Sequence, residues 1–253
     1  MTLASRRGVL GAGLGGLLLS GCDRVTGSPS VQSFIGHGQD LTFHAQRLLL
    51  SGQPLAREFK PSDVSPVFKA NGSLTPTSDA YKALLADNFA TWRLMVDGLV
   101  TAPMSFSLEE LKAMPSRTQI TRHDCVEGWS AIGGWTGVPL SQVLRRVGLR
   151  PDARFLVFHC ADNLGGAGEG GLYYESIDLF DDFHPQTILA YAMNGAPLPV
   201  AHGAPLRLRV ERQLGYKQAK YVMRIEATDR LDRIHGGRGG FWEDRGYEWY
   251  AGI

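Results

Sequence analysis

The spacing of apolar residues predicts several short β-strands in the second half of the chain. Residues 92–96 alternate between apolar and other side chains and lead into the turn dipeptide Asp97-Gly98. Further strands are predicted over residues 117–122, 154–160 and 221–227. Leu206, Leu208 and Val210 alternate with Arg207, Arg209 and Glu211, which predicts a strand with one face in the core and a row of charge on the other.

A short helix is predicted between the first two strands. Ser107 is an N-cap residue and Glu110, three positions later, completes a capping box. Phe106 and Leu111 are spaced to form a hydrophobic staple, and Pro115 stops the helix.

Two more helices and a long loop are predicted further along the chain. One helix begins at Pro139 and ends at Gly148, and its apolar face comprises Leu140, Val143, Leu144 and Val147. Residues 185–193 predict a helix closed by Gly195, and residues 165–171 form a glycine-rich loop.

Composition adds a domain organisation to this pattern. Residues 1–22 are predicted to be a signal, residues 23–80 a tether and extended wrapping segment rich in Ser, Gly, Pro and Thr, and residues 81–253 the main folded domain. The aromatic tail, residues 239–253, is predicted to pack back on the domain. Charge is nearly balanced, with 26 basic and 25 acidic residues, so no nucleic-acid partner is expected.

The N-terminal segment predicts export and a lipid anchor. Arg6 and Arg7 precede an apolar stretch that is too short to span a bilayer, and they resemble a twin-arginine signal. The residues before Cys22 resemble a lipobox with Cys22 as the acylated residue, and Asp23 resembles a signal for retention in the inner membrane. The expected location is therefore the periplasmic side of the inner membrane. Since the twin-arginine route exports folded proteins, a cofactor loaded in the cytoplasm is also expected.

Cys125 is the main candidate for chemistry. It lies in a rigid segment with two tryptophans and several glycines, and we interpret it as a metal ligand. The chain contains no CxxC or HExxH motif, so the remaining ligands would come from an organic cofactor. Two alternatives are a Cys125–Cys160 disulfide and a nucleophilic cysteine with His123, His159 or His202 as its base.

A basic segment further along could hold the phosphate of such a cofactor. It contains His202, Arg207, Arg209, Lys217 and Lys220. Arginine offers a planar fork and lysine a point charge for phosphate oxygens. Alternatively, these charges lie on a strand face that is exposed to solvent and bind nothing, which explains the pattern equally well.

Four motifs in order resemble the molybdopterin-binding domain of the sulfite oxidase family. They are CVEGWS followed by WTGVPL, then AYAMNG, then HGAPLRLRV, and finally GYKQAKYV. The resemblance runs from about Phe89 to the C-terminus. It implies an α+β fold, a single domain with mixed β-sheets and short helices. It also implies a cofactor of one molybdenum and one molybdopterin, with Cys125 as the protein ligand to the metal.

The resemblance also assigns binding roles to individual positions. His202 and Arg207 resemble a pterin-contacting pair, and Gln218, Ala219 and Lys220 resemble a phosphate-binding turn. Lys217 is included with this cofactor-binding group. Asn71 resembles an N-terminal contact, and Cys160 falls where relatives place a small polar residue beside the cofactor.

The expected reaction is a two-electron oxygen-atom transfer on a small-molecule substrate. Val126–Trp129 resembles the catalytic subunits of bacterial periplasmic methionine sulfoxide reductases, which favours reduction of a sulfoxide or a related S- or N-oxide. Arg122, His123 and Glu127 are predicted to flank the substrate, and a membrane haem protein or cytochrome is the expected electron partner. The alternatives are a sulfite dehydrogenase that donates electrons to a cytochrome, and a cofactor-free lipoprotein that serves as a binding module.

Overall fold

The computed structural model describes residues 28, 30, 41–49, 52–165 and 171–253. The chain divides into two compact units, Met1–Pro54 and Leu55–Ile253. Residues 41–49 of the first unit are helical, and no helix within the described ranges is long and apolar enough to cross a membrane. The predicted signal with Cys22, and residues 166–170 of the predicted glycine-rich loop, lie outside the described residues.

The second unit contains ten strands and four short α-helices in its described part. The strands are β1 (Arg93–Gly98), β2 (Met104–Ser107), β3 (Arg117–Asp124), β4 (Ser130–Pro139), β5 (Phe155–Asn163), β6 (Leu172–Asp178), β7 (Ile188–Met193), β8 (Ala196–Pro197), β9 (Arg207–Arg209) and β10 (Val222–Thr228). The helices are α1 (Asp79–Ala86), α2 (Leu108–Lys112), α3 (Leu140–Val147) and α4 (Leu179–Asp182). This confirms the predicted α+β class.

The strands form two sheets. One has the order β2-β1-β10-β5-β6, in which β1 and β10 are parallel and the other neighbours antiparallel. The other has the order β3-β4-β7-β8, and β9 pairs with β7. At the β4–β7 pairing a Cβ on Gly137 would lie 2.2 Å from Leu189 O, so only glycine permits this close approach of the two backbones.

The predicted helices α2 and α3 are confirmed. Ser107 Oγ accepts from Glu110 N at 3.1 Å, and the Glu110 carboxylate accepts from Ser107 N at 2.7 Å, which is the predicted capping box of α2. Helix α3 ends at Gly148, and its four predicted apolar residues are all buried. They join the main apolar core with Trp92, Leu94 and Val96 of the segment that forms β1.

The helix predicted over residues 185–193 is wrong, because this segment contains strand β7. Its residues pair with β4, β8 and β9, and pairing on both edges overrides the local preference of its alanines for a helix. Asn194 and Gly195 have φ of 51° and 77°, the conformation of a type I′ turn into β8. The Asn-Gly dipeptide is therefore the sequence signal that indicates a hairpin here.

The predicted row of exposed charge in residues 206–211 is also wrong. Arg207, Arg209 and Glu211 are all buried, and Arg209 makes a two-pronged ion pair with Glu211, with N–O distances of 3.0 and 2.6 Å. Both faces of β9 are covered, so the charges are neutralised by neighbours rather than by water.

Both ends of the second unit pack on the sheets. Phe59 N donates to Ile120 O at 2.8 Å, and Ser65 N donates to Ile132 O at 3.0 Å, so residues before 80 add to the β3–β4 hairpin. The aromatic tail packs back as predicted, with Phe241 buried. The compact unit thus begins at Leu55, whereas the predicted domain begins at residue 81.

Candidate active site

Cys125 lies at the start of the loop that joins β3 to β4. Cys125 N donates to Trp129 O at 2.9 Å, and Gly128 N donates to Cys125 O at 3.0 Å, so the loop is a closed turn. Gly128 has φ of 84°, a left-handed conformation that glycine adopts without steric cost. At the base of the hairpin, Ser130 Oγ donates to Asp124 Oδ1 at 2.5 Å. The hairpin therefore fixes the position of the thiol.

Asn71 from the N-terminal segment contacts this thiol directly. Its Nδ2 donates to Cys125 Sγ at 3.3 Å. The loop that carries Asn71 is anchored by Lys220 Nζ, which donates to Asn71 O at 2.9 Å, and by Tyr221, whose hydroxyl donates to Ser73 O at 3.0 Å. Burial raises the pKa of the Cys125 thiol, and a bound metal cation would deprotonate it.

The thiol opens into a cavity of about 350 Å³. Predicted site residues in its lining are Asn71, Cys125, Glu127, Arg207, Gln218 and Lys220, joined by Asp162, Tyr173, Tyr216, Trp242 and Tyr247. The lining extends from buried residues such as Arg207 to residues exposed to solvent such as Val126. The structure thus brings six of the predicted residues from distant parts of the chain to one site.

Three buried polar atoms at the cavity have no partner within the described part of the chain. They are Arg207 Nε, Gln218 Oε1 and Asp162 Oδ1. The rest of the Arg207 guanidinium donates to His202 O at 2.9 Å and to Gln218 O at 3.4 Å. Because an unpaired buried polar atom is costly, these atoms indicate that a polar ligand occupies this end of the cavity.

Glu127 lies at the exposed side of the cavity, where its carboxylate accepts hydrogen bonds. Its carboxylate accepts from Trp129 Nε1 at 3.0 Å and pairs with Lys69 Nζ at 3.2 Å. These two contacts hold the pKa of Glu127 below its ordinary value, so the group is ionised at neutral pH. An ionised carboxylate can accept a proton or a hydrogen bond but has no proton to donate.

Two of the residues predicted to flank the substrate lie outside the cavity lining. Arg122 is exposed, and its Nε donates to Asp124 Oδ2 at 2.9 Å. His123 is buried, and its Nδ1 lies 3.0 Å from Arg209 Nη1. Burial, together with Arg209, lowers the pKa of His123 well below its ordinary value, so it is neutral and accepts from Arg209.

Four residues predicted to bind the cofactor are also absent from the lining. Cys160 is buried and its thiol faces Phe158 O at 3.8 Å, while Ala219 is buried in the core. His202 is half-buried, and burial lowers its pKa to about 4. Lys217 is fully buried between two carboxylates.

The disulfide alternative, and His123 as a base for Cys125, do not fit the geometry. Both Cys125 and Cys160 are free thiols, so the disulfide is excluded. His123 presents one ring nitrogen to Arg209, and a Cβ on Gly215 would lie 2.5 Å from the other, so the ring is packed against a neighbouring turn. Among the described residues no group of three His, Cys, Asp or Glu side chains could hold a metal ion.

Asp162 is the main site residue that the sequence reasoning missed. It follows Cys160 by two positions on β5, so strand periodicity places both side chains on the same face. An acidic residue on the buried face of a strand is the signal that could have found it. Burial raises its pKa to about 7, and burial next to Arg207 lowers the pKa of Lys220 to about 8.

We expect the cofactor-free protein to lose stability as the pH rises through the range in which Asp162 ionises. Its ordinary pKa is 3.8 and its folded pKa is about 7, so between these values the folded protein binds more protons than the unfolded chain. The free energy of unfolding then falls with rising pH, by up to about 4 kcal/mol for three pKa units. Urea unfolding at pH 4.5 and 7.5 measures this, and Asp162→Asn should make the difference smaller. An unchanged difference in that variant would contradict the assignment.

Comparison with known proteins gives one consistent family. A family model described as "Oxidoreductase molybdopterin binding domain" matches residues 82–234. A protein of Azospira oryzae named as the protein-methionine-sulfoxide reductase subunit YedZ1 is 39% identical over 240 residues, which are 94% of this chain and 84% of that protein. The protein-methionine-sulfoxide reductase catalytic subunit MsrP of Xanthomonas axonopodis is 36% identical over 164 residues, 62% of this chain and 51% of that subunit.

A solved structure agrees with this match. The sulfane dehydrogenase SoxCD of Paracoccus pantotrophus is similar with a TM-score of 0.50 and 27% identity, over 56% of this chain and 39% of that chain. This chain therefore spans about half the length of the MsrP relative and less of the SoxCD chain.

Proposed function

This chain belongs to the sulfite oxidase family of molybdopterin-binding oxidoreductases, and we propose that it reduces a neutral S-oxide, or a related N-oxide, to the corresponding thioether or amine. Reduction of an S-oxide removes one oxygen atom as water and consumes two electrons and two protons. The relatives named as protein-methionine-sulfoxide reductases support this direction of reaction. Membership of this family shows that the protein is an enzyme, and the alternative of a cofactor-free binding module is therefore set aside.

The residues of the cavity fit a molybdopterin cofactor. Cys125 offers one thiolate, which suits a soft metal centre with its other sulfur ligands on the pterin. The unpaired Arg207 Nε and Gln218 Oε1 offer a donor and an acceptor to the polar part of the cofactor. Lys220 adds a cation beside them. When bound, the cofactor supplies the two-electron redox chemistry, while the protein supplies binding and orientation.

The charge of the cavity lining is the observation that carries the proposed substrate class. Its two cations, Arg207 and Lys220, are largely buried and donate to backbone carbonyls, and the charged residue at its exposed side is the ionised Glu127. A sulfite anion would lie beside this carboxylate, whose charge is only partly offset by the exposed Lys69, while Arg207 and Lys220 lie on the buried side. The apolar lining residues Val126, Tyr216, Trp242 and Tyr247 fit a neutral oxide instead.

A direct comparison of two reactions tests the proposal. With molybdenum-loaded protein we expect methionine sulfoxide and a reduced dye to give a kcat/KM at least about 100-fold higher than sulfite and an oxidising acceptor, which corresponds to about 2.7 kcal/mol of selectivity. Sulfite oxidation at an equal or higher kcat/KM would favour the sulfite dehydrogenase alternative. Metal-free protein provides the blank for both reactions.

We propose that the protein is anchored by Cys22 on the periplasmic side of the inner membrane and receives electrons from a membrane haem protein. The paired Arg6-Arg7 and the lipobox-like residues before Cys22 support this. We expect Cys22→Ser to move the protein from the membrane fraction to the soluble fraction. Unchanged membrane association of that variant would contradict the lipid anchor.

A further inference from the structure

Lys217 forms a buried ion cluster with Glu175 and Glu243. Its Nζ lies 2.5 Å from Glu175 Oε1 and 2.6 Å from Glu243 Oε1, and the three side chains are almost completely shielded from solvent. The cluster joins three segments that are distant in sequence, namely strand β6, the turn Gly215–Lys217 and the turn Glu243–Arg245. Lys217, which the sequence predicted to bind the cofactor, is instead paired with two carboxylates inside the protein.

Gly240 packs directly against the cluster. A Cβ on Gly240 would lie 2.0 Å from Glu243 Oε2 and 2.8 Å from Glu175 Oε1. Burying a lysine together with two carboxyl groups costs desolvation free energy that well-packed apolar residues would not, so stability alone does not account for the cluster.

Two of the joined segments, the turn Gly215–Lys217 and the C-terminal tail, supply aromatic rings to the cavity lining. Tyr216 precedes Lys217, and Trp242 precedes Glu243, while Tyr247 follows in the same tail. The rings of Tyr216 and Tyr247 meet edge to face with centroids 5.2 Å apart, and those of Trp242 and Tyr247 stack at 5.3 Å. We call these three rings the aromatic wall. Trp242 and Tyr247 lie beyond residue 234, where the family match ends.

We propose that the buried ion cluster positions the turn 215–218 against the tail 241–247, so that the aromatic wall packs on the apolar part of the substrate. This rests on the proposed function, since it assigns a substrate class to the same cavity. Aromatic rings form favourable contacts with sulfur and with apolar groups. The substrate class is therefore a sulfoxide that carries a substantial apolar substituent, such as the side chain of an oxidised methionine or an aryl group.

Two sulfoxides of different size test the aromatic wall in the molybdenum-loaded enzyme. We expect Trp242→Ala and Tyr247→Ala to raise KM for an aryl methyl sulfoxide about 10-fold, the effect of losing one good apolar contact, and to leave KM for dimethyl sulfoxide nearly unchanged. The molybdenum content should stay close to wild type. Phe183→Ala is the matched control, because Phe183 is 38% exposed like Tyr247 but lies outside the cavity lining.

Separate substitutions within the ion cluster test its positioning role. Glu243→Gln should produce the same selective rise in KM for the larger sulfoxide. The triple variant Lys217→Met, Glu175→Gln, Glu243→Gln removes every charge at similar volume and is expected to fold and show the same selectivity loss. Asp181→Asn is the control, since it breaks another buried ion pair, with Arg212 at 2.8 Å, outside the lining. It should lower stability and leave the ratio of the two KM values unchanged.

The outcomes separate this inference from the proposed function. If the wild type reduces neither sulfoxide, the proposed function fails and the inference fails with it. If the wild type reduces both, but the wall and cluster variants change the two KM values equally or not at all, only the inference is overturned. A selective rise in the wall variants and the cluster variants, with both controls unchanged, supports it.

Discussion

Cys125→Ser is expected to lower the activity of the purified enzyme by more than about 100-fold, because Cys125 is the proposed metal ligand and removing a direct ligand should cost more than removing a partner of a ligand. A serine hydroxyl is a harder ligand than a thiolate and stays protonated near neutral pH, so it is poorly suited to a soft metal centre. The measurement is activity per folded chain, together with the molybdenum content of the same sample.

Cys160→Ser is the matched control for this variant. Cys160 is the other buried free thiol among the described residues, and its sulfur faces a backbone carbonyl rather than the cavity. We expect this variant to keep most of its molybdenum and activity. Full metal content and full activity in Cys125→Ser would show that the thiol of Cys125 is not the ligand.

Arg207→Met is expected to weaken retention of the molybdenum cofactor by about 10- to 100-fold. The guanidinium is buried, its Nε is unpaired in the described structure, and burial lowers its pKa to about 9, so a bound anionic group would stabilise its charge. A hydrogen bond to a charged group contributes about 1.5–3 kcal/mol, and each 1.4 kcal/mol is a factor of ten in affinity. Molybdenum and pterin content after extended dialysis measure the loss.

Two further variants decide whether the loss is specific. Arg207→Lys keeps the charge but not the planar fork, so we expect cofactor retention between that of the wild type and Arg207→Met. Arg224→Met removes a cation on strand β10 that pairs with Asp97 at 2.9 Å and is absent from the cavity lining. Equal cofactor loss in Arg224→Met and Arg207→Met would indicate a general loss of stability instead of a lost cofactor contact.

The distribution of polar and apolar residues indicates that one side of the cavity binds the cofactor and the other side binds the substrate. The buried side, with Arg207, Gln218 and Asp162, carries the polar atoms that lack partners among the described residues. The exposed side carries Glu127 and apolar or aromatic residues. Cys125 lies in the same lining. We therefore expect variants on the buried side to change cofactor content and variants of the aromatic wall to change substrate affinity.

Local sequence signals were sufficient for several elements. Ser107 and Glu110 predicted the capping box of α2, and the apolar face that ends at Gly148 predicted α3, because both patterns depend on contacts within a few residues. The motifs around Cys125 and from His202 to Lys220 were enough to indicate the family and its cofactor. Residues 185–193 show the limit, since pairing of β7 with strands on both of its edges outweighed local helix preference.

The roles of the individual charges were decided by the tertiary structure. Lys217 and Lys220 are three residues apart in one basic segment, yet Lys220 lines the cavity while Lys217 is enclosed by Glu175 and Glu243. Arg207 and Arg209 are likewise both buried, but only Arg207 lines the cavity. The sequence by itself was enough to give the order of the motifs along the chain, the candidate thiolate of Cys125 and the family. Only the tertiary structure determined which of these side chains line the cavity, because that depends on contacts between residues far apart in the chain.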